Sequence, residues 1–252
     1  MAETNVAEKL TTIAENVPKV YEAGKSAEWN RFWDIFQVNG ERGKKNISPD
    51  YTYAFKYWSP QCFYPKYDIC CYTSYLQLFE GFNRYGGGEL LDLTQRLEEC
   101  GVKLDLYGGN TTYRNTAYIF SYAGISRVPE LDFRYTTGLN SCFNDSYIKT
   151  IDKIIAPLDP FSWTNAFARC YYLKNIVIEG TIFRSVDFSY SPLTVESMKS
   201  IISCLKDYSG TDSEDLYSVL FTDDCWNNLE ADSTAPDGGT WRTYVDNLGW
   251  LT

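Results

Sequence analysis

Histidine is missing altogether from the 252 residues. Its absence removes the commonest general base near neutral pH, the commonest metal ligand and every Ser/His or Cys/His nucleophile pair. Most hydrolase chemistry is excluded on that ground. Positive charge is also scarce: 23 Lys and Arg stand against 33 Asp and Glu, a formal charge of −10. Only Glu41-Arg42-Gly43-Lys44-Lys45 approaches a cationic run, and it is too short to track a phosphate backbone, so no nucleic-acid partner is expected. No apolar run reaches the ~18–20 residues that span a bilayer. Met1-Ala2-Glu3-Thr4-Asn5 has neither the basic start nor the apolar stretch of a signal peptide. The expectation is a chain made in the cytoplasm, without membrane insertion.

Catalytic and cofactor signatures are likewise wanting. Gly86-Gly87-Gly88 is not followed by the Lys-Ser/Thr of a phosphate-binding loop, and Gly108-Gly109 precedes no clear helix. No pair of carboxylates sits in a glycine-rich elbow or comparable signature. The acidic group Asp207, Asp212, Glu214 and Asp215 lacks the alternating ligands and mid-loop glycine of a calcium loop, and reads as a solvated turn. These absences predict a non-enzyme with neither cofactor nor metal.

What is present is aromatic and thiol-rich: 21 Tyr, 14 Phe and 8 Cys. The cysteines form no C-x-x-C pair and read as buried, reduced, small apolar side chains. Cys70 and Cys71 are adjacent in an extended segment, which directs them to opposite faces.

A periodicity organises the chain. Phe120, Phe143 and Phe167 recur at 23 and 24 residues, preceded by Ile119, Cys142 and Ala166 and followed three positions on by Ala123, Ser146 and Cys170. Each opens one downstream rhythm: Ile125, Val128, Leu131; Ile148, Ile151, Ile154; Leu173, Ile176, Ile178. The same element occurs at Phe55 and Phe79, 24 apart. The gap of 41 from Phe79 to Phe120 holds a helical pattern at 89–101, with Leu90, Leu93, Leu97 and Cys100 before Gly101. A unit this short cannot close its own core, so successive units must stack and share one. Phe55, Phe79, Phe120, Phe143 and Phe167 are its expected rungs.

The segments Tyr118–Leu131 and Asn165–Ile178 resemble the BspA-type (treponemal) leucine-rich repeat: an aromatic, a small residue or Cys three later, then Leu or Ile opening a short strand. The resemblance extends over roughly residues 50–190 and is degenerate at 51–82, where Trp58 and Phe82 replace the small residue. It implies an α/β chain folded as a single leucine-rich-repeat solenoid, with short strands on one face and turns or short helical pieces on the other.

The ends lie outside the period. Three regions result: an N-terminal helical segment and cap at 1–48, the repeats with their helical insertion at 49–190, and an α/β C-terminal capping region at 191–252. Val6, Leu10, Ile13, Val17 and Val20 form an apolar stripe of about two heptads, which either caps the first repeat or pairs with other copies in a homo-oligomer through 6–20. Trp29, Trp33 and Phe36 continue in helical phase. Thr194 precedes a helix with Val195, Met198, Ile201, Ile202 and Leu205 on its apolar face. A strand at 216–221, a helix at 222–231, a turn at Asp237-Gly238-Gly239 and a Trp241, Tyr244, Leu248, Trp250 cluster follow. The segments 9–24, 193–202 and 235–241 are similar to those flanking such repeats in phage and prophage proteins of gut Firmicutes. That resemblance implies a tail-associated or adhesin-like component of a virion.

Function then falls to the surface left after the core is filled. Tyr51, Tyr53, Tyr57, Tyr64, Tyr67, Tyr72, Tyr75, Tyr107, Tyr113 and Tyr135 lie off the rungs. So do Tyr118, Tyr122, Tyr147, Tyr171 and Tyr172, and tyrosine supplies contact area with a polar tip at little entropic cost. Tyr118, Ser141 and Asn165 stand two residues before a repeat Phe, and Tyr122, Asp145 and Arg169 two after. If these columns face outward, Tyr118, Tyr122, Asp145, Tyr147, Asn165, Arg169 and Tyr171 present a surface for a protein or carbohydrate ligand on a host cell. An intracellular interaction module that inhibits a host factor, or a purely structural virion component, fits the same sequence.

Overall fold

The computed structural model describes residues 46–48, 55–58, 60, 63–65, 68–71, 74–84, 89–107, 113–211 and 216–252. The stripe at 6–20, Trp29, Trp33, Phe36, Tyr51, Tyr53, Tyr67, Tyr72, Gly86–Gly88, Gly108–Gly109, Asp212, Glu214 and Asp215 lie outside them.

Every pairing between the strands described is parallel. Strands β1 (Asn46–Ser48) and β2 (Ile69–Cys71) form one pair. A four-stranded sheet runs β3 (Leu91–Asp92), β4 (Ile125–Asp132), β5 (Thr150–Ile155) and β6 (Asn175–Glu179), with helix α1 (Leu93–Cys100) after β3. A second sheet orders β7 (Val186–Phe188), β8 (Tyr217–Phe221) and β9 (Trp250–Leu251). Helices α2 (Val195–Ser203), α3 (Asp223–Asp232) and α4 (Trp241–Asn247) lie between its strands in sequence. The protein is thus a mixed α/β fold with parallel sheets. No described helix is long and apolar enough to cross a membrane.

Register carries the sequence spacing into space. Val128 lies opposite Ile151, and Ile151 opposite Ile176, so like residues pack on like. β4 and β5 bury every third residue, whereas β6 buries alternate ones. A bulge reconciles the two: Ile151 pairs with Ile176 but Ile154 with Ile178, leaving Asp152 and Lys153 opposite Val177 alone. Asp152 and Lys153 thereby stay partly exposed while the isoleucines stay inside.

Phe55, Phe79, Phe120, Phe143 and Phe167 have no exposed surface. The rings of Phe79, Phe120, Phe143 and Phe167 stack at 5.2–5.5 Å with their planes within 8° of parallel. Backbone bonds hold that pitch: Phe79 N–H donates to Ile119 O, Phe120 N–H to Cys142 O and Phe143 N–H to Ala166 O. The stack then continues through Phe188 at 4.4 Å and Phe221 at 5.9 Å. Their sequence spacings of 21 and 33 hide both from a search at 23–24.

The open edge of β6 is closed by side chains rather than by another strand. Ile176 N–H donates to Ser197 Oγ and Ile178 N–H to Ser200 Oγ, each at 2.9 Å, and Cys204 Sγ donates to Ile178 O. One face of α2 thus satisfies the strand amides that would otherwise invite a foreign strand. Thr194, Thr222 and Thr240 cap α2, α3 and α4 by accepting the amide three residues on. Trp226 and Trp250 are buried, and the Trp241 and Trp250 indoles donate to Ser233 O and Lys206 O.

Two expectations need correction. The helical pattern at 89–101 starts later than read: Leu90 precedes β3, and α1 begins at Leu93 because the Asp92 carboxylate accepts the Gln95 amide. Tyr75 is not a surface residue; it has no exposed area, and its hydroxyl donates to Asp105 O at 2.7 Å.

Candidate binding surface

Turns around each phenylalanine set the direction of the surface side chains. Around Phe143, Cys142 N–H donates to Leu139 O and Ser146 N–H to Phe143 O. The turns here carry a left-handed backbone at their third residue, Ser141 and Asp145. Their φ values are 51° and 55°. Tyr118 and Tyr122 flank Phe120 at 59° and 57°, and Asn165 and Arg169 flank Phe167 at 55° and 56°. Left-handed geometry costs an L-residue about 1–2 kcal/mol and suits glycine best. Only one of these flanking positions is glycine: Gly81, two after Phe79, where a Cβ would lie 2.4 Å from the Tyr57 ring. Tyr and Arg therefore occupy sites at which local energetics favour a residue without a side chain.

The structure divides the expected columns. In the one before the phenylalanines, Tyr118 and Asn165 are exposed, but Ser141 between them is only 8% exposed, so it forms no continuous surface. The reading of Ser141 as outward-facing is corrected accordingly. In the column after them, Tyr122 and Asp145 are half-buried and Arg169 is exposed. Tyr122 N–H donates to Asn144 O and Asp145 N–H to Ala168 O, fixing successive turns side by side. Arg169 Nη2 lies 3.4 Å from Asp145 Oδ2. The Arg84 guanidinium covers the Tyr122 ring at 4.1 Å.

Beside this column stand four tyrosines, each 41–53% exposed. The Tyr147 and Tyr172 rings stack at 5.5 Å and 17°, while Tyr171 meets Tyr190 edge to face at 5.7 Å. The sequence pattern selects Tyr147 and Tyr171 and sets Tyr172 among the tyrosines off the rungs; it gives no place to Tyr190 or Arg84. For Tyr190 a signal was available, since it stands two residues after the buried Phe188.

The outer strand face differs in chemistry. Arg127 pairs with Asp152 at 2.7 Å, and Lys153 bridges Glu130 at 2.8 Å and Glu179 at 3.2 Å across three strands. The two carboxylates hold the Lys153 ammonium above its usual range. Such exposed pairs contribute little to stability. Aromatic contact area is concentrated at the corner between turns and strands, and ion pairs on the strands.

Cys100, Cys142, Cys170, Cys204 and Cys225 form no disulfide. Cys170 Sγ donates to Phe143 O at 3.0 Å and Cys225 Sγ to Ser191 O at 3.5 Å. Burial pushes the Cys170 thiol up to about 12 and raises Cys142 well above its ordinary value. Both should therefore resist iodoacetamide at about pH 8 in the folded chain and react once denatured. The raised pKa also sets the sign of an alkaline effect. Below the ordinary thiol value of 9.0 both states are protonated; between 9.0 and about 12 only the unfolded chain sheds the Cys170 proton. Stability should fall there by about 1.4 kcal/mol per pH unit for this thiol, a slope that urea melts of Cys170→Ala should show flattened.

Among the described residues, no three His, Cys, Asp or Glu side chains gather to hold a metal ion. What the corner offers is aromatic area, hydroxyl tips and one exposed ion pair, which is a chemistry of contact. The chain matches no protein-family model, no curated protein and no solved structure.

Proposed function

We propose that the chain is a non-catalytic binding protein whose ligand surface is the corner formed by Tyr122, Asp145, Arg169, Tyr147, Tyr171, Tyr172 and Tyr190. The observation that carries this reading is the retention of Tyr122, Asp145 and Arg169 at left-handed positions beside four exposed tyrosines. Tyr and Arg are the residues most enriched at binding hot spots, and backbone strain concentrates at functional sites. A BspA-type leucine-rich-repeat solenoid is the architecture we assign. It is supported by parallel register offsets near the sequence period and by the continuous phenylalanine stack. With the phage-like flanking segments, this makes the chain a tail-associated adhesin or receptor-binding module for a host surface protein or glycan. Binding of the labelled full chain to whole bacterial cells and to a glycan array tests it. Saturable binding in either is expected, and two blank results would overturn the adhesin role.

A further inference from the structure

Two neighbouring units repeat one pattern beside the tyrosine corner: Tyr147-Ile148-Lys149 and Tyr172-Leu173-Lys174. In each the aliphatic residue is buried and its two neighbours are exposed, so tyrosine and lysine share a face. Lys174 N–H donates to Lys149 O at 3.0 Å, which sets the lysines side by side, as the Tyr147 and Tyr172 rings are stacked at 5.5 Å. The flanking units lack the pattern. Lys149 N–H donates to Ser126 O and Thr194 N–H to Lys174 O, where the sequence reads Gly124-Ile125-Ser126 and Pro192-Leu193-Thr194. Like charges on neighbouring strands repel and lower stability. Elsewhere on this sheet that cost is avoided, since every charged residue of β4, β5 and β6 sits in an ion pair: Arg127 with Asp152, Lys153 with Glu130 and Glu179, Asp132 with Arg134. Lys149 and Lys174 have no ion-pair partner among the described residues. Glu196, which the Thr194 bond brings to the end of the row, forms none with Lys174.

We infer, resting on the corner as the binding surface proposed above, that its ligand is an acidic glycan: a carboxylate or sulfate lies between Lys149 and Lys174, and the sugar rings lie against Tyr147 and Tyr172. The anion supplies the counter-charge that the row lacks, and the tyrosines supply apolar area with polar tips for sugar hydroxyls. An acidic peptide fits less well. Extended peptides gain affinity by adding to a free strand edge, whereas β5 is paired on both sides and β6 is closed by Ser197 and Ser200.

The test titrates the full chain by fluorescence anisotropy with labelled oligosaccharides that are carboxylated (oligogalacturonate), sulfated (heparin-derived) or neutral (dextran-derived), and with an oligoglutamate peptide. Salt is held at about 0.15 M to screen diffuse attraction. Expected is saturable binding of at least one acidic sugar, about tenfold or more weaker in Lys149→Gln/Lys174→Gln and unchanged in Lys103→Gln/Lys206→Gln. The second variant removes the same charge from exposed lysines elsewhere, and thermal unfolding checks the fold of both. Which acidic sugar binds tells carboxylate from sulfate. Equal loss in the two variants, neutral sugar bound as tightly as acidic, or peptide bound more tightly than either acidic sugar would overturn the inference. Whole-cell binding without binding of either acidic sugar would overturn this ligand class and leave the adhesin role standing; blank results in both would remove both.

Discussion

Phe143→Ala should lower the unfolding free energy by about 3–5 kcal/mol, the usual cost of emptying a phenylalanine site in a close-packed core. Phe143 has no exposed surface, and its ring touches Phe120 at 5.5 Å, Phe167 at 5.2 Å and Phe133 at 6.5 Å. The first two contacts are near-parallel, the third nearly perpendicular. Aromatic pairs add roughly 0.5–1.5 kcal/mol beyond buried area, so the loss belongs at the upper end of the range. The neighbouring turns cannot collapse into the void, because Phe143 N–H and Ala166 O, like Phe120 N–H and Cys142 O, fix their spacing. For a chain of this size the loss corresponds to a fall of roughly 6–20 °C in the melting temperature. A change below about 1 kcal/mol in urea denaturation would contradict a shared stacked core.

Asp145→Gly/Arg169→Gly should act in the opposite sense on stability and strongly on binding. Glycine removes a left-handed penalty of about 1–2 kcal/mol at Arg169 and a smaller one at Asp145, while adding unfolded-state entropy worth about 0.5–1 kcal/mol per residue. The ion pair it deletes is solvent-exposed and contributes at most ~1 kcal/mol. Net stability should be unchanged or slightly higher. Asp145 N–H still donates to Ala168 O after the change, so the turns keep their spacing. The corner loses Arg169 and the carboxylate paired with it. Truncation of such a residue commonly costs ~2 kcal/mol or more of binding, a loss of at least tenfold in affinity.

Much of the interior was legible from periodicity. Ile125, Val128 and Leu131 and the matching residues of β5 and β6 are buried, as the downstream rhythm implied. The thiol Cys170 is likewise inside, as its place beside Ala123 and Ser146 suggested. The period failed where chain length between rungs changes: α2 lies between Phe188 and Phe221, which breaks the count without breaking the stack. Closure of β6 was illegible for another reason, because Ser197 and Ser200 are ordinary helix residues until the strand beside them is known. Tyr75 illustrates a third limit. A tyrosine off the rung positions is buried when a backbone carbonyl, here Asp105 O, lies within reach of its hydroxyl. The left-handed positions beside the stacked phenylalanines were the least visible of all: Gly81 is the one glycine among them, so composition gives no sign of the turn geometry, and only the Phe ±2 offset marked the place.

The most direct measurement of the central claim is therefore a paired one on the same preparation of Asp145→Gly/Arg169→Gly: thermal unfolding, and binding to the cells or glycan that the unaltered chain recognises. The account predicts a melting temperature equal to or above that of the unaltered chain, together with at least a tenfold loss of binding. Undiminished binding, or a fall in melting temperature that accompanies its loss, would contradict it.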